Sequence, residues 1–121
     1  MENDDLLIVG ERRSSLAIKR DVRWEDEALA AVPLFQALRV AGVEPASCRF
    51  VNWFEDGEKI VREHTGRIIA LGQKVQKALT AEGIKHIPLV HPAARGKIRL
   101  RANYIAHVVG VLNAPSSRPA R

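Results

Sequence analysis

Four short apolar runs separated by stretches of helical periodicity set the pattern of the chain. Leu6-Leu7-Ile8-Val9, closed by Gly10, reads as a buried strand. Cys48-Arg49-Phe50-Val51 is the second candidate and Arg67-Ile68-Ile69-Ala70-Leu71, closed by Gly72, the third and clearest. His86-Ile87-Pro88-Leu89-Val90 is the fourth. Pro88 has no N–H for a ladder, so this run belongs at a sheet edge. Between the runs, Leu34, Leu38 and Ala41 give an apolar helical face, with Pro33 suited to a first helical position and Gly42 as its stop. Glu25 to Ala31 reads as a separate turn before it, and Gly57 to His64 as a weaker, charged helix. Gln73 to Glu82 carries Val75, Ala78 and Leu79 on one face and ends at Gly83. Ile98, Ala102, Ile105, Val109 and Leu112 define a last helix.

This order, β-α-β-α-β-α-β-α, predicts a three-layer α/β/α fold with a four-stranded parallel sheet. In such sheets ligands bind beyond the carboxyl ends of the strands. The residues following each run are therefore the ones to inspect. The whole is expected to be one domain over residues 1–112, with a flexible tail over 113–121, where two prolines and two serines fall.

Composition narrows the classes. With 121 residues and 46% apolar positions the chain is long and apolar enough for one modest core, unlike a disordered chain. No apolar run approaches the ~18–20 residues that span a bilayer, so no membrane partner is expected. The acidic start, Met1-Glu2-Asn3-Asp4-Asp5, is unlike a signal peptide. One cysteine, Cys48, cannot form an internal disulfide or hold a cysteine-ligated cluster. In a predicted buried strand it is read as a small hydrophobe in a reducing cytoplasm. The charge is split. Residues 1–66 hold 9 basic and 13 acidic groups, and residues 67–121 hold 10 basic groups and one acid, Glu82. A basic half points to a polyanion partner.

The strand ends carry the candidate chemistry. Gly10 permits a tight turn that presents Glu11 at the sheet rim. Asn52 follows the second run, and its side chain offers a carbonyl and an amide together, the pair needed to read a base edge. The alternative for Asn52 is an Asx turn, and for Glu11 a solvated loop. Gly72-Gln73 reads as a close strand-to-helix turn. His91, followed by Pro92-Ala93-Ala94, sits where a His can donate to a developing oxyanion. Arg95, Lys97, Arg99 and Arg101 crowd the start of the last helix, against its macrodipole, which suits an anion such as a phosphate. The remaining histidines, His64, His86 and His107, share no metal-binding spacing, and no phosphate-loop or nucleophile-elbow motif is present.

Taken together these motifs resemble the uracil-DNA glycosylase superfamily. The stretch Arg67 to Gly96, with Leu71-Gly72-Gln73 followed about twenty residues later by His91-Pro92-Ala93-Ala94, is similar to its C-terminal signature. Ile8-Val9-Gly10-Glu11 resembles the start of the Gly-Glu-Ala-Pro-Gly motif of its iron–sulfur branches, and Phe50-Val51-Asn52 the segment ending in the uracil-reading Asn. Arg12-Arg13-Ser14 departs from Ala-Pro-Gly, and Cys48 alone excludes the cluster of those branches. The resemblance covers roughly residues 6–110. It implies a uracil-DNA glycosylase-like fold and hydrolysis of the N-glycosidic bond of uracil, or a related deaminated base, in DNA, without metal or cofactor. It further implies that Glu11 and His91 are catalytic, that Gly10, Asn52 and Trp24 meet the base, and that Arg95, Lys97, Arg99 and Arg101 hold DNA phosphates. Two other readings use the same rim: an inactive nucleic-acid or nucleotide-binding module, favoured by Arg12-Arg13 beside Glu11, and an enzyme of free nucleosides or nucleotides.

Overall fold

The computed structural model describes residues 6–29, 31–92 and 101–113. Its four strands are β1 (Leu7–Gly10), β2 (Arg49–Asn52), β3 (Ile68–Leu71) and β4 (Ile87–Leu89). They form one sheet in the order β2-β1-β3-β4, with every pairing parallel. The helices are α1 (Ser15–Arg20), α2 (Ala31–Val40), α3 (Glu58–Glu63), α4 (Gln73–Ala81) and α5 (Arg101–Asn113).

Alternation along the strands builds two cores, because successive side chains point to opposite faces. Leu6, Ile8, Ile69, Leu71 and Leu89 pack with Leu34 and Leu38 of α2 and Tyr104 and Val108 of α5. Leu7, Val9, Ile68 and Ala70 pack with Val61 of α3 and Val75 and Leu79 of α4. Both faces are covered, which explains why the strands read as unbroken apolar runs. Each predicted run lies within one residue of the observed strand at every end. Pro88 is on an edge strand as expected.

That edge is finished by side chains. Gly72 N–H donates to the Leu89 carbonyl at 2.9 Å, so residue 89 faces β3 and residues 88 and 90 face outward. Val90 N–H donates to Nε2 of His107 at 3.1 Å, and the Tyr104 hydroxyl donates to the Val90 carbonyl at 2.9 Å. Burial drives the Tyr104 pKa well above the ordinary phenol value, which keeps it a donor.

Three expectations are corrected. Helix α2 begins at Ala31, so Pro33 is its third residue, where the missing N–H still breaks no intrahelical bond. The loop expected after β1 contains α1, whose N-terminus is capped by Ser14 Oγ accepting from Ala17 N–H at 3.1 Å. Gly10 makes no turn: it is the last residue of β1 and pairs with Asn52. Arg95, Lys97, Arg99, the start of the last helix at Ile98 and the tail from residue 114 lie outside the described residues.

Candidate functional site

Because β1 connects to β2 on one side and β3 continues on the other, the direction of travel across the sheet reverses between β1 and β3, and a crevice opens at their carboxyl ends. A cleft of about 610 Å³ lies at this end of the sheet, within the usual range for small-molecule sites. Glu11, Trp24, Asn52 and His91 all line it. They come from four separate segments: the turn after β1, the 3₁₀ turn Trp24–Asp26, the end of β2 and the second residue beyond β4.

The deepest polar group is Asn52, only 7% exposed. Its Oδ1 accepts from the Trp24 indole N–H at 2.9 Å, and its Nδ2 donates to Glu55 Oε1 at 3.2 Å. Gly10 makes room for this pair. A Cβ on Gly10 would stand 2.6 Å from Asn52 Oδ1 and 2.8 Å from Trp24 Cζ2. Close approach, and not an unusual dihedral, is therefore what position 10 demands. Trp24 is held in turn by its short helix, which Asp26 caps by accepting from Arg23 N–H at 2.8 Å. Its rings continue inward through Phe50 at 6.2 Å and then Phe35 at 5.0 Å, a ladder of aromatic contacts joining cleft to core.

Glu55 sits in the wide turn Trp53–Gly57 that joins β2 to α3. Its Oε2 accepts from Arg13 N–H at 2.9 Å and lies 3.6 Å from Arg13 Nε. Burial pushes the Glu55 carboxyl upward, but the Arg13 backbone N–H, the Asn52 amide and the Arg13 guanidinium outweigh it and hold the pKa below the ordinary carboxylate value. The same turn is stitched to the first strand's exit by Phe54 N–H donating to the Glu11 carbonyl at 3.0 Å.

His91 stands over Gly72, whose backbone has φ of +88°; a Cβ there would meet His91 Cβ at 3.4 Å. Its ring lies 6.3 Å from that of Trp24, tilted by 58°. Burial lowers the His91 pKa, while the negative charge of Glu11 pulls it back up; burial wins, so His91 is neutral at pH 7. Glu11 Oε2 is 3.5 Å from Lys74 Nζ of α4.

The structure thus brings Glu11, Trp24, Asn52 and His91 together, with Gly10 beneath them. Arg101 does not line the cleft; its side chain donates to Gln36 Oε1 on α2. Among the described residues, the cations that line the cleft are Arg12, Arg13 and Arg23. Arg12 also lies 5.3 Å over the exposed ring of Phe54. Sequence reasoning singles out Arg13 only as a neighbour of Glu11, and it misses Glu55. The only available signal was the three-residue spacing from Asn52 to Glu55 just past a strand, which is common in capped turns. Cys48 lies apart, its thiol pushed up to about 11 by burial, so it is a protonated thiol.

Among the described residues, no group of three or more His, Cys, Asp or Glu side chains is placed to hold a metal ion. No described helix is long and apolar enough to cross a membrane. No protein-family model and no curated protein matches the chain.

Proposed function

We propose that the cleft receives a nucleobase turned out of a DNA strand and that the protein is a uracil-DNA glycosylase-like hydrolase of the N-glycosidic bond. The observation that carries this reading is the convergence of Glu11, Trp24, Asn52 and His91 on one cleft at the carboxyl ends of the sheet. A base must leave the stack for its glycosidic bond to be reached, and a cleft with an amide at its floor and an aromatic wall suits it there.

Each group has a role its surroundings support. Asn52 keeps one lone pair on Oδ1 and one N–H on Nδ2 beyond its internal bonds, enough to pair with a base edge. Trp24 forms the wall beside the ring. Glu11 orients a water and accepts its proton as the water oxygen bonds to C1′ of the sugar. The C1′–N1 bond breaks, its electron pair leaves with the base, and the charge gathers on the uracil O2. Neutral His91 donates a hydrogen bond to that oxygen. One preorganised donor of this kind contributes about 3–4 kcal/mol. Arg12 and Arg23 meet the flanking phosphates, so binding weakens with salt.

One observation favours the second reading, a binding module without chemistry: Lys74 stands beside Glu11 and competes for the carboxylate that would take the proton. The test uses a labelled oligonucleotide with one deoxyuridine, EDTA throughout, and alkali to reveal abasic sites. Cleavage by wild type that drops ~100-fold or more in both His91→Ala and Asn52→Ala supports the hydrolase. Salt-sensitive binding without cleavage on single- or double-stranded substrate leaves the module.

A further inference from the structure

An asparagine amide reads two opposite edges equally well. With oxygen and nitrogen one way round it pairs with a lactam, N–H beside C=O; flipped, it pairs with an amidine, ring N beside NH₂. Selectivity between such edges needs something that forbids the flip. The two internal partners of Asn52 differ in kind. The Trp24 indole is a donor only, and an ionised carboxylate is an acceptor only. The indole is 2.9 Å from Oδ1 and the Glu55 carboxylate 3.2 Å from Nδ2. Flipping the amide would set N–H₂ against the indole N–H and oxygen against the carboxylate, losing both bonds and creating two like contacts. Because the partners are a donor and an acceptor, their chemistry dictates which way round the amide lies.

Glu55 is itself pinned. Arg13 takes Oε2 through its backbone N–H, and the remaining oxygen, Oε1, is turned to Asn52. The carboxylate stays ionised at neutral pH. The turn carrying it is closed onto Glu11 by the Phe54 N–H.

We infer that Glu55 is a specificity-determining positioning residue, which together with the Trp24 indole N–H locks the Asn52 amide in the lactam-reading state. This rests on the base-reading role proposed above for Asn52. Glu55 touches the amide and not the base. Cytosine and adenine, which offer an amidine edge, are refused because the amide cannot turn to meet them.

The test measures binding to short single-stranded oligonucleotides that carry one 2′-fluoro-2′-deoxyuridine or one 2′-fluoro-2′-deoxycytidine. The fluorine slows loss of the base, so affinity is read without turnover. Wild type is expected to favour the uracil strand by ~100-fold or more, the scale set by leaving buried polar groups unpaired. Glu55→Gln keeps the shape of the side chain but offers either an oxygen or an NH₂ to the amide. Its uracil-to-cytosine ratio is expected to shrink ~10-fold or more, with a thermal midpoint close to that of wild type. Trp24→Phe removes the other half of the lock, keeps an aromatic wall, and is expected to lower the ratio similarly. Wild-type preference that survives unchanged in both variants overturns the lock and leaves the base-reading site standing. Equal affinity of wild type for the two strands overturns base reading at Asn52, and the lock with it. These two failures are told apart by the wild-type ratio alone.

Discussion

Asn52 at the cleft is backed by the turn after β2, whereas most of the remaining lining belongs to the segment between β1 and α2, and these two walls of the site differ in how they are held. The first wall is five residues long, with Trp53 and Gly57 buried and Asn52 closed in at its base. It is anchored by the Phe54 N–H, by Arg13 and by the Trp24 indole. The second wall has a six-residue helix, α1, with no buried residue; Leu16 is 43% exposed and Ile18 55%. Asp21, Glu27 and Leu29 in that segment take left-handed conformations with φ of 55°, 50° and 55°, uncommon for residues other than glycine. One wall is part of the core and presets the Asn52 amide. The other is fastened at Arg13, Trp24 and Glu27, but its helix α1 between those points buries nothing and rests on its own cap, the kind of element that opens at low free-energy cost. In the base-binding role proposed above, that division lets the site admit a bulky ring and then grip its edge.

The comparison is broken most severely at the first wall's foundation. Gly10→Ala drives a methyl into the Asn52–Trp24 pair, and the neighbours there are a buried amide and an indole with little room to yield. Overpacking of this kind costs about 2–3 kcal/mol, or roughly 10 °C of Tm. A variant that melts with wild type would show that the pair can separate freely. Trp24→Phe comes next. It leaves Oδ1 of a buried amide without its donor, an expected loss of about 1–2 kcal/mol read as a lower urea midpoint at unchanged slope.

Acid attacks a different support. His91 and His107 both have pKa values lowered from 6.5, chiefly by burial. Between the folded and unfolded pKa values the unfolded chain therefore binds more protons, so stability rises with pH there and is lost as pH falls below 6.5. The carboxylates behave separately: Glu27 and Glu55 are held below 4.5, so their contribution is lost only under stronger acid, as pH falls through those lowered values. Unfolding followed from pH 8 to about 5 should show this first phase, and His107→Gln should flatten part of it. A flat profile from pH 7 to 5 in wild type would mean that neither ring is held neutral. The mildest change is at the second wall. Leu16→Ser and Ile18→Ser are expected to alter stability by no more than about 0.5 kcal/mol. Hydrogen exchange in α1 should be much faster than in the turn after β2; equal protection would erase the contrast between the walls.

Most of the frame was readable because burial on both faces leaves a signature that survives without neighbours: Ile68 to Leu71 is apolar at every position, and Pro88 announces an edge. The rim residues were readable for a second reason. Once strands are located, the ends of parallel strands must gather, so Glu11, Asn52 and His91 could be expected at one place. What could not be read was the order of contacts there. Trp24 is 28 positions from Asn52, and no period in the sequence links an indole in one turn to an amide in another. Gly10 looked like a turn because glycine's two uses, freedom of φ and absence of Cβ, have the same letter. Helix α1 escaped because it buries nothing, and so lacks the periodic apolar face by which helices are detected.

The finish of β4 also governs what the sheet can do beyond its own chain. Of the positions facing outward, Pro88 has no N–H, and both main-chain groups of Val90 are engaged by His107 and Tyr104. Over residues 87–90, a strand from another copy arriving at this side would find a single carbonyl, that of Pro88, and no donor to zip against. Open edges are the usual starting points for strand-to-strand self-association. Here a ring, a phenol and a proline occupy positions 88 and 90, so these residues offer an incoming strand no ladder to extend.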